Sequence, residues 1–386
     1  MYLVLLVKIV IWTLMNASPT RVQMRGSMLT LLLARPSSPL LAAIRHVRTR
    51  KLTMSSATHV EVEAGVKLRC VEHGERSSSN VVLLLHGFPD CEATWRFQVP
   101  ALTSAGYFVV TPDMRGYGES SKPDGVSSFS GRKLTSDVDA LRRHYCGEDG
   151  VFSLLAGHDW GAAVVWTALE AAAARGNARI AERAAILNVP HPLTFASNLF
   201  TLRQAPKSWY IFAFQVPGLA EWLLAASGGA LVKRVVSKEL ATTDAGSDST
   251  TALVDACGKA AATPDAMRCA VSYYRASASG LWGSFLPASI PPFVVAATRR
   301  LHGVDEPPPP TRAEAAATGP TGPAVIDVPV LVLWGRNDPY LGVELATPPL
   351  ESVPMLKGPV FYDCGHFVHW GNPDEVNAEL LQFLAE

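Results

Sequence analysis

Between His59 and Cys70 the apolar residues take alternate positions, with Val60 and Val62 before Ala64-Gly65 and Val66, Leu68 and Cys70 after it. Such alternation marks strands buried on one face, and the small pair between the two runs predicts a hairpin. The pattern then changes, because Val81 to Leu85 is continuously apolar, as in a strand covered on both faces. A helix beginning near Thr94 leads to a second such run, Tyr107 to Thr111. The amphipathic segment Lys133 to Tyr145 leads to a third, Val151 to Ala156, which passes into an alanine-rich helix reaching Ala174. Ala184 to Val189 is a fourth run. Val328 to Trp334 and Val360 to Tyr362 resume the series late in the chain, and the helix Pro373 to Leu384 closes it. Buried runs alternating with helices predict an α/β fold, a mostly parallel sheet flanked by helices. In such a sheet, function is expected at the carboxyl ends of the strands.

From Leu193 to about residue 300 the alternation stops, and the chain is helical and aromatic-rich, with Trp209, Tyr210, Phe214, Trp222, Tyr273, Tyr274 and Trp282. This stretch reads as a lid inserted into the sheet domain. Gly303 to Gly322 is of low complexity, with Pro307 to Pro310 and an alanine run, and reads as a loop. The expected organisation is an N-terminal targeting or disordered extension (1–55), a first part of the core (56–192), the helical lid with its Pro/Ala-rich loop (193–325) and a second part of the core (326–386).

Composition narrows the function classes. With 386 residues, 48% of them apolar and 18% charged, the chain is globular and long enough for a large core. The formal charge is zero, yet the first 60 residues hold eight of the 34 Lys and Arg and no acid, so the remainder is mildly acidic. That argues against nucleic acid as a partner. Six scattered cysteines without a CxxC pair read as mostly buried thiols, neither a disulfide framework nor a zinc site. Tyr2 to Met15 is apolar except for Lys8 and Thr13, shorter than the roughly 20 residues of a spanning helix. It fits a signal-peptide core or a marginal membrane anchor. The acid-free, Arg- and Ser-bearing stretch behind it fits an organellar transit peptide. The alternative is an unstructured extension or a start at Met28 or Met54, and a start at Met54 would leave the protein cytoplasmic.

The chemistry centres on Gly157-His158-Asp159-Trp160-Gly161-Ala162. A short buried strand turns here into a helix, and small residues at 157, 161 and 162 let backbone segments approach closely, as a strand-to-helix elbow requires. Asp159 stands at the tip. It could cap the following helix, but a carboxylate buried without a partner costs several kcal/mol, and two other residues complete a constellation. Asp338 follows the run ending in Trp334-Gly335, and His366 follows Tyr362-Asp363-Cys364-Gly365. Nucleophile, acid, histidine is the chain order of the α/β-hydrolase triad. The tight turn Gly87-Phe88-Pro89 after the first buried run aims the Phe88 amide at the same edge, and the Trp160 amide at the start of the elbow helix is a second oxyanion donor.

His86-Gly87-Phe88-Pro89, Arg115-Gly116-Tyr117-Gly118-Glu119-Ser120, Gly157-His158-Asp159-Trp160-Gly161 and Gly365-His366 together resemble the epoxide hydrolases of the α/β-hydrolase superfamily, over roughly residues 57 to 386. The resemblance implies the α/β-hydrolase fold with an inserted helical lid, and two lid tyrosines that donate to the epoxide oxygen. One matches Tyr210, ahead of Phe214-Gln215-Val216-Pro217-Gly218. The other matches Tyr274 before Arg275, with Tyr273 the adjacent alternative. It further implies an apolar substrate pocket, to which His86, Trp209 and Phe214 are assigned, a small apolar epoxide and water as the partners, and no cofactor or metal. Asp159 would attack an epoxide carbon to form an ester, and His366, oriented by Asp338, would activate the water that hydrolyses it to a vicinal diol. A haloalkane dehalogenase shares the Asp-Trp pair and is the nearest alternative. A non-catalytic ligand-binding member of the fold is the other, although it predicts a missing triad residue and none is missing. Oligomeric state is not legible in the sequence.

Overall fold

The computed structural model describes residues 55–176, 179–240, 247–280, 282, 292–305 and 325–386. The chain divides into two units, 1–53 and 54–386, and everything below concerns the second. The extension and most of the Pro/Ala-rich loop lie outside the described residues.

A single eight-stranded sheet forms the centre, in the order β1-β2-β4-β3-β5-β6-β7-β8. The hairpin is β1 (Ser55–Glu63) and β2 (Val66–His73), paired antiparallel through the Ala64-Gly65 turn. Next come β3 (Val81–Leu85), the helix α1 (Gln98–Ser104), β4 (Phe108–Pro112), α2 (Gly131–Cys146), β5 (Leu154–His158), α3 (Trp160–Ala174) and β6 (Ala184–Leu187). The insertion contributes α4 (Pro192–Asn198), α5 (Trp209–Ala213), α6 (Leu219–Leu240), α7 (Ser247–Ala260), α8 (Pro264–Ala278) and α9 (Pro292–Leu301). The sheet resumes with β7 (Val330–Gly335) and β8 (Leu356–Tyr362), followed by the short α10 (Val368–Gly371) and the closing α11 (Pro373–Ala385).

Strands β3 to β8 pair in parallel, and every residue of β3, β4, β5, β6 and β7 is buried. Their continuous apolar runs follow from helices covering both faces. Strand β8 is the exception. It lies at the edge and is half exposed, so its first four residues, Leu356 to Pro359, carry no apolar run that could announce it. The elbow strand also sits later than its run suggests. It starts at Leu154 and continues through Gly157 and His158, which pair with Ile186 and Leu187 of β6, and so delivers Asp159 directly at the strand end.

Register aligns the carboxyl ends. Leu85 lies beside Gly157, His158 beside Leu187, Leu187 beside Leu333, and Gly335 beside Tyr362. The residues after these strands therefore meet at one edge. Arg115, in the turn after β4, is buried and spends its guanidinium on Asp137 at 2.8 and 2.5 Å and on Glu63 at 2.9 Å. Its motif thus holds the β1, β4 and α2 layers together.

Candidate active site

Asp159 adopts φ 49°, ψ −125°, a left-handed conformation rare for a residue with a Cβ. Its surroundings enforce it. A Cβ on Gly157 would come within 2.4 Å of the Gly161 carbonyl carbon, and one on Gly161 within 2.2 Å of the Leu85 oxygen. One on Gly87 would come within 2.3 Å of the Asp159 Cβ. The glycines are therefore what lets β3, β5 and α3 crowd together beneath the elbow.

Asp159 occupies the N-cap position of α3, but its side chain makes no capping bond. Instead Oδ1 accepts the Phe88 amide at 2.7 Å, while Oδ2 stands 3.4 Å from His366 Nε2. His366 Nδ1 is 2.7 Å from Asp338 Oδ2, which places a proton on Nδ1 and turns Nε2 toward Asp159. Asp338 is completely committed: Oδ1 accepts the Tyr340 and Leu341 amides at 2.7 and 2.9 Å, and Oδ2 also accepts Asn188 Nδ2 at 2.8 Å. The Trp160 amide is the first of α3, where a helical N–H has no intrahelical acceptor.

These contacts set the charges. Burial raises the Asp159 pKa, but the hydrogen bond and charge of His366 outweigh it and hold the carboxyl below its usual range. Asp338 is likewise lowered overall, burial being overcome by His366 and by the donors of Tyr340 and Asn188. Burial alone would depress His366, yet the two carboxylates carry it well above its ordinary value. The resting site is an imidazolium between two carboxylates.

An apolar cavity opens from this cluster. Asp159, Trp160, Tyr210 and Tyr274 line one end, and Val189, Phe195, Leu199, Phe212 and Val294 are among its walls. Both phenols are pushed well above their ordinary pKa, by burial first and then by the Asp159 charge. They remain protonated donors. Arg275 explains how two distant helices present them together: it donates to the Phe214 and Val216 carbonyls at 3.0 and 3.2 Å and pairs with Glu221 at 2.5 Å. That clamp ties α8 to the turn following α5. Tyr273, about 100° further round α8, donates its hydroxyl to the Arg115 carbonyl at 2.8 Å and is fully buried. The second phenol at the cavity is therefore Tyr274.

Three residues assigned to the pocket lie elsewhere. His86 is fully buried and bonded on both ring nitrogens, to the Gly87 carbonyl and the Met114 amide, each at 3.0 Å. It braces the turns after β3 and β4 and is not among the residues lining this cavity. Phe214 packs edge-on behind Phe88, Tyr210 and Tyr274 at 5.6, 5.7 and 5.0 Å between ring centroids. Trp209 faces Tyr210 from outside the cavity.

Other residues at the site carry no sequence signal. Asn188, at φ 51°, links β6 to β7 by donating to Asp338 and accepting the Gly335 amide at 3.2 Å. Glu239, at the end of α6, accepts the His366 amide at 3.3 Å. All six cysteines are free thiols, and five are buried. Among the described residues two buried clusters have the composition of metal ligands, Asp90 with Cys91 and Cys257, and Asp90 with His158 and His369. Neither includes Asp159, Asp338 or His366.

The chain is similar to known proteins. A family model described as alpha/beta hydrolase fold matches residues 80–373. The chain is 38% identical over 172 residues to epoxide hydrolase A of Mycobacterium tuberculosis, a match spanning 45% of this chain and only 52% of that protein. With human epoxide hydrolase 4 it shares 26% over 344 residues, 86% of this chain and 80% of that protein. A solved structure described as one of the novel epoxide hydrolases in metagenomes from hot environments superposes with a TM-score of 0.61 at 30% identity, covering 86% of this chain and 99% of that one.

Proposed function

The chain belongs to the alpha/beta hydrolase fold family, and within it to the epoxide hydrolases, and from that premise we propose that it opens apolar epoxides to vicinal diols through an ester on Asp159. The observation that carries this reading is the convergence of one carboxylate and two phenols, Tyr210 and Tyr274, on a single apolar cavity.

Each step follows from the atoms already placed. Oδ1 of Asp159 is held by the Phe88 amide, so Oδ2 attacks the epoxide carbon, the C–O bond breaks, and Tyr210 and Tyr274 donate to the oxygen that leaves with the electron pair. Oδ1 becomes the ester carbonyl. Esterification removes the Asp159 anion, one of the two charges that keep His366 protonated, and so lowers His366 toward the range of a general base; the proton it loses replaces the one a phenol gave to the epoxide oxygen. Neutral His366, oriented by Asp338, takes a proton from water that attacks Cγ. The oxyanion forms on Oδ1, where the Phe88 and Trp160 amides receive it, and its collapse, with His366 returning that proton to the departing oxygen, releases the diol; the proton left on the regenerated Asp159 acid passes to His366. One water oxygen stays in Asp159.

The test is a single turnover in oxygen-labelled water with an apolar epoxide in place. Label in the peptide carrying Asp159 and none in the diol supports the ester route; label in the diol overturns it. Halide release from a haloalkane without epoxide turnover would instead select the dehalogenase. Targeting or membrane association through residues 1–55, and the division into core and lid, are proposals too. The first is checked by locating a fluorescent fusion with and without that segment.

A further inference from the structure

Most of the large apolar side chains exposed among the described residues lie in the insertion, and two of them, Phe212 and Val294, line the cavity. Helix α9 buries no residue at all, although Phe293, Val294, Ala297 and Leu301 share one face of it. Helix α5 likewise buries none. Phe212 of α5 and Val294 of α9 are both cavity walls and both exposed, at 50% and 40%, so the cavity opens between these two helices. Beyond them the rim continues. The Phe200 ring lies 6.3 Å from that of Phe212, Leu202 is 95% exposed, and Phe293 is 73% exposed beside Val294.

The charge around this rim is mostly positive. Residues 192–220 and 292–304 contain no Asp or Glu and carry Arg203, Lys207, Arg299 and Arg300, with the exposed Asp305 next in the chain and lining one hollow with Arg299 and Arg300, in a chain whose Lys and Arg balance its acids overall. Arg203 and Arg300 are exposed, whereas Lys207 and Arg299 reach the Asp338 and Ser279 carbonyls. A contiguous exposed apolar patch marks an interaction surface. A second copy of the chain fits it poorly, since a two-fold contact would bring the same cations together. Apolar side chains flanked by the exposed Arg203 and Arg300 suit the anionic face of a lipid bilayer.

We propose that this rim, carried by the α4–α5 segment and α9, docks on an anionic bilayer surface, so that apolar substrate passes from lipid into the cavity without crossing water. Docking rests on the surface alone; delivery of an epoxide rests also on the reading above.

The test uses the full chain and its Leu202→Asp/Phe293→Asp variant, in which neither changed residue lines the cavity. Both are sedimented with vesicles of phosphatidylcholine alone and of phosphatidylcholine with phosphatidylserine. The expected result is binding to the mixed vesicles, weaker binding without phosphatidylserine, and at least about a tenfold loss of affinity in the variant. The variant should keep its turnover of a water-soluble epoxide and lose turnover of one dissolved in the vesicles. Wild-type amide exchange should slow at 199–212 and 292–304 when vesicles are added. Undiminished binding by the variant, with protection confined to residues 1–54, or no binding by either protein, overturns the proposal. Should neither protein turn over any epoxide, the functional reading fails while sedimentation still decides docking.

Discussion

The Phe88 amide and Asp159 Oδ1 are joined by a 2.7 Å hydrogen bond across 71 residues of sequence. This single contact distinguishes the two carboxylate oxygens before any substrate arrives. Oδ1 is already where an oxyanion will be received, and Oδ2 is left to react beside His366. Preorganised donors of this kind stabilise charge without rearrangement during the reaction.

Separating the two half-reactions is the most direct check. Asp159→Ala should lower turnover by about a thousandfold or more, whereas His366→Ala should still alkylate and then stall. Intact-mass analysis of the His366 variant after mixing with epoxide should show the protein heavier by one substrate. An unmodified mass at full occupancy would count against the assigned sequence of steps.

In the proposed mechanism the two phenols act in the first step only. Tyr210→Phe and Tyr274→Phe should each slow alkylation by roughly 100- to 1,000-fold, the range for loss of one oxyanion donor, and leave ester hydrolysis nearly unchanged. Tyr273→Phe is the contrast: it breaks a buried bond to the Arg115 carbonyl and should cost about 1 kcal/mol of stability with little effect on rate. Stopped-flow fluorescence separates the two rates, and thermal melts report the third variant.

The charge arrangement has a pH signature. Because the folded pKa of His366 is raised, its stabilising contribution is complete below the unfolded value of about 6.5 and disappears as pH rises through the folded value. Asp159 and Asp338 are lowered, so theirs is present above about 3.9 and disappears as pH falls through their folded values. Asp338→Asn removes the charge that raises His366 most. An NMR titration should place His366 well above 6.5 in the native protein and distinctly lower in the variant; equal midpoints would refute the coupling.

Gly161→Ala tests the elbow. The new methyl would lie 2.2 Å from the Leu85 carbonyl oxygen, with no flexible side chain to yield, so backbone must move at a cost of about 1–3 kcal/mol or more. Melting temperature should fall by several degrees. Activity should drop further than stability alone predicts, because the same shift displaces Asp159 from the Phe88 amide.

What the sequence determined by itself was everything encoded by local pattern. The runs from Val81, Tyr107, Val151, Ala184 and Val328 are apolar throughout because both faces of those strands are covered, and that requirement acts on every position. Gly157, Gly161 and the acid between them announce the elbow because backbone contact permits nothing larger there. The carboxyl-edge placement of Asp159, Asp338 and His366 follows from parallel strands alone. Tertiary structure decided the rest. Tyr273 and Tyr274 are neighbours of one residue type, and only the packing of α8 sends one hydroxyl to the Arg115 carbonyl and the other to the cavity. His86 stands in the motif beside Phe88, yet strand β3 ends with its side chain between two backbone turns instead of toward the substrate. Asn188 and Glu239 touch Asp338 and His366 from β6 and from the insertion. Contacts across 150 and 127 residues leave no periodicity or spacing, since they depend on where separate elements dock and on nothing adjacent in the chain.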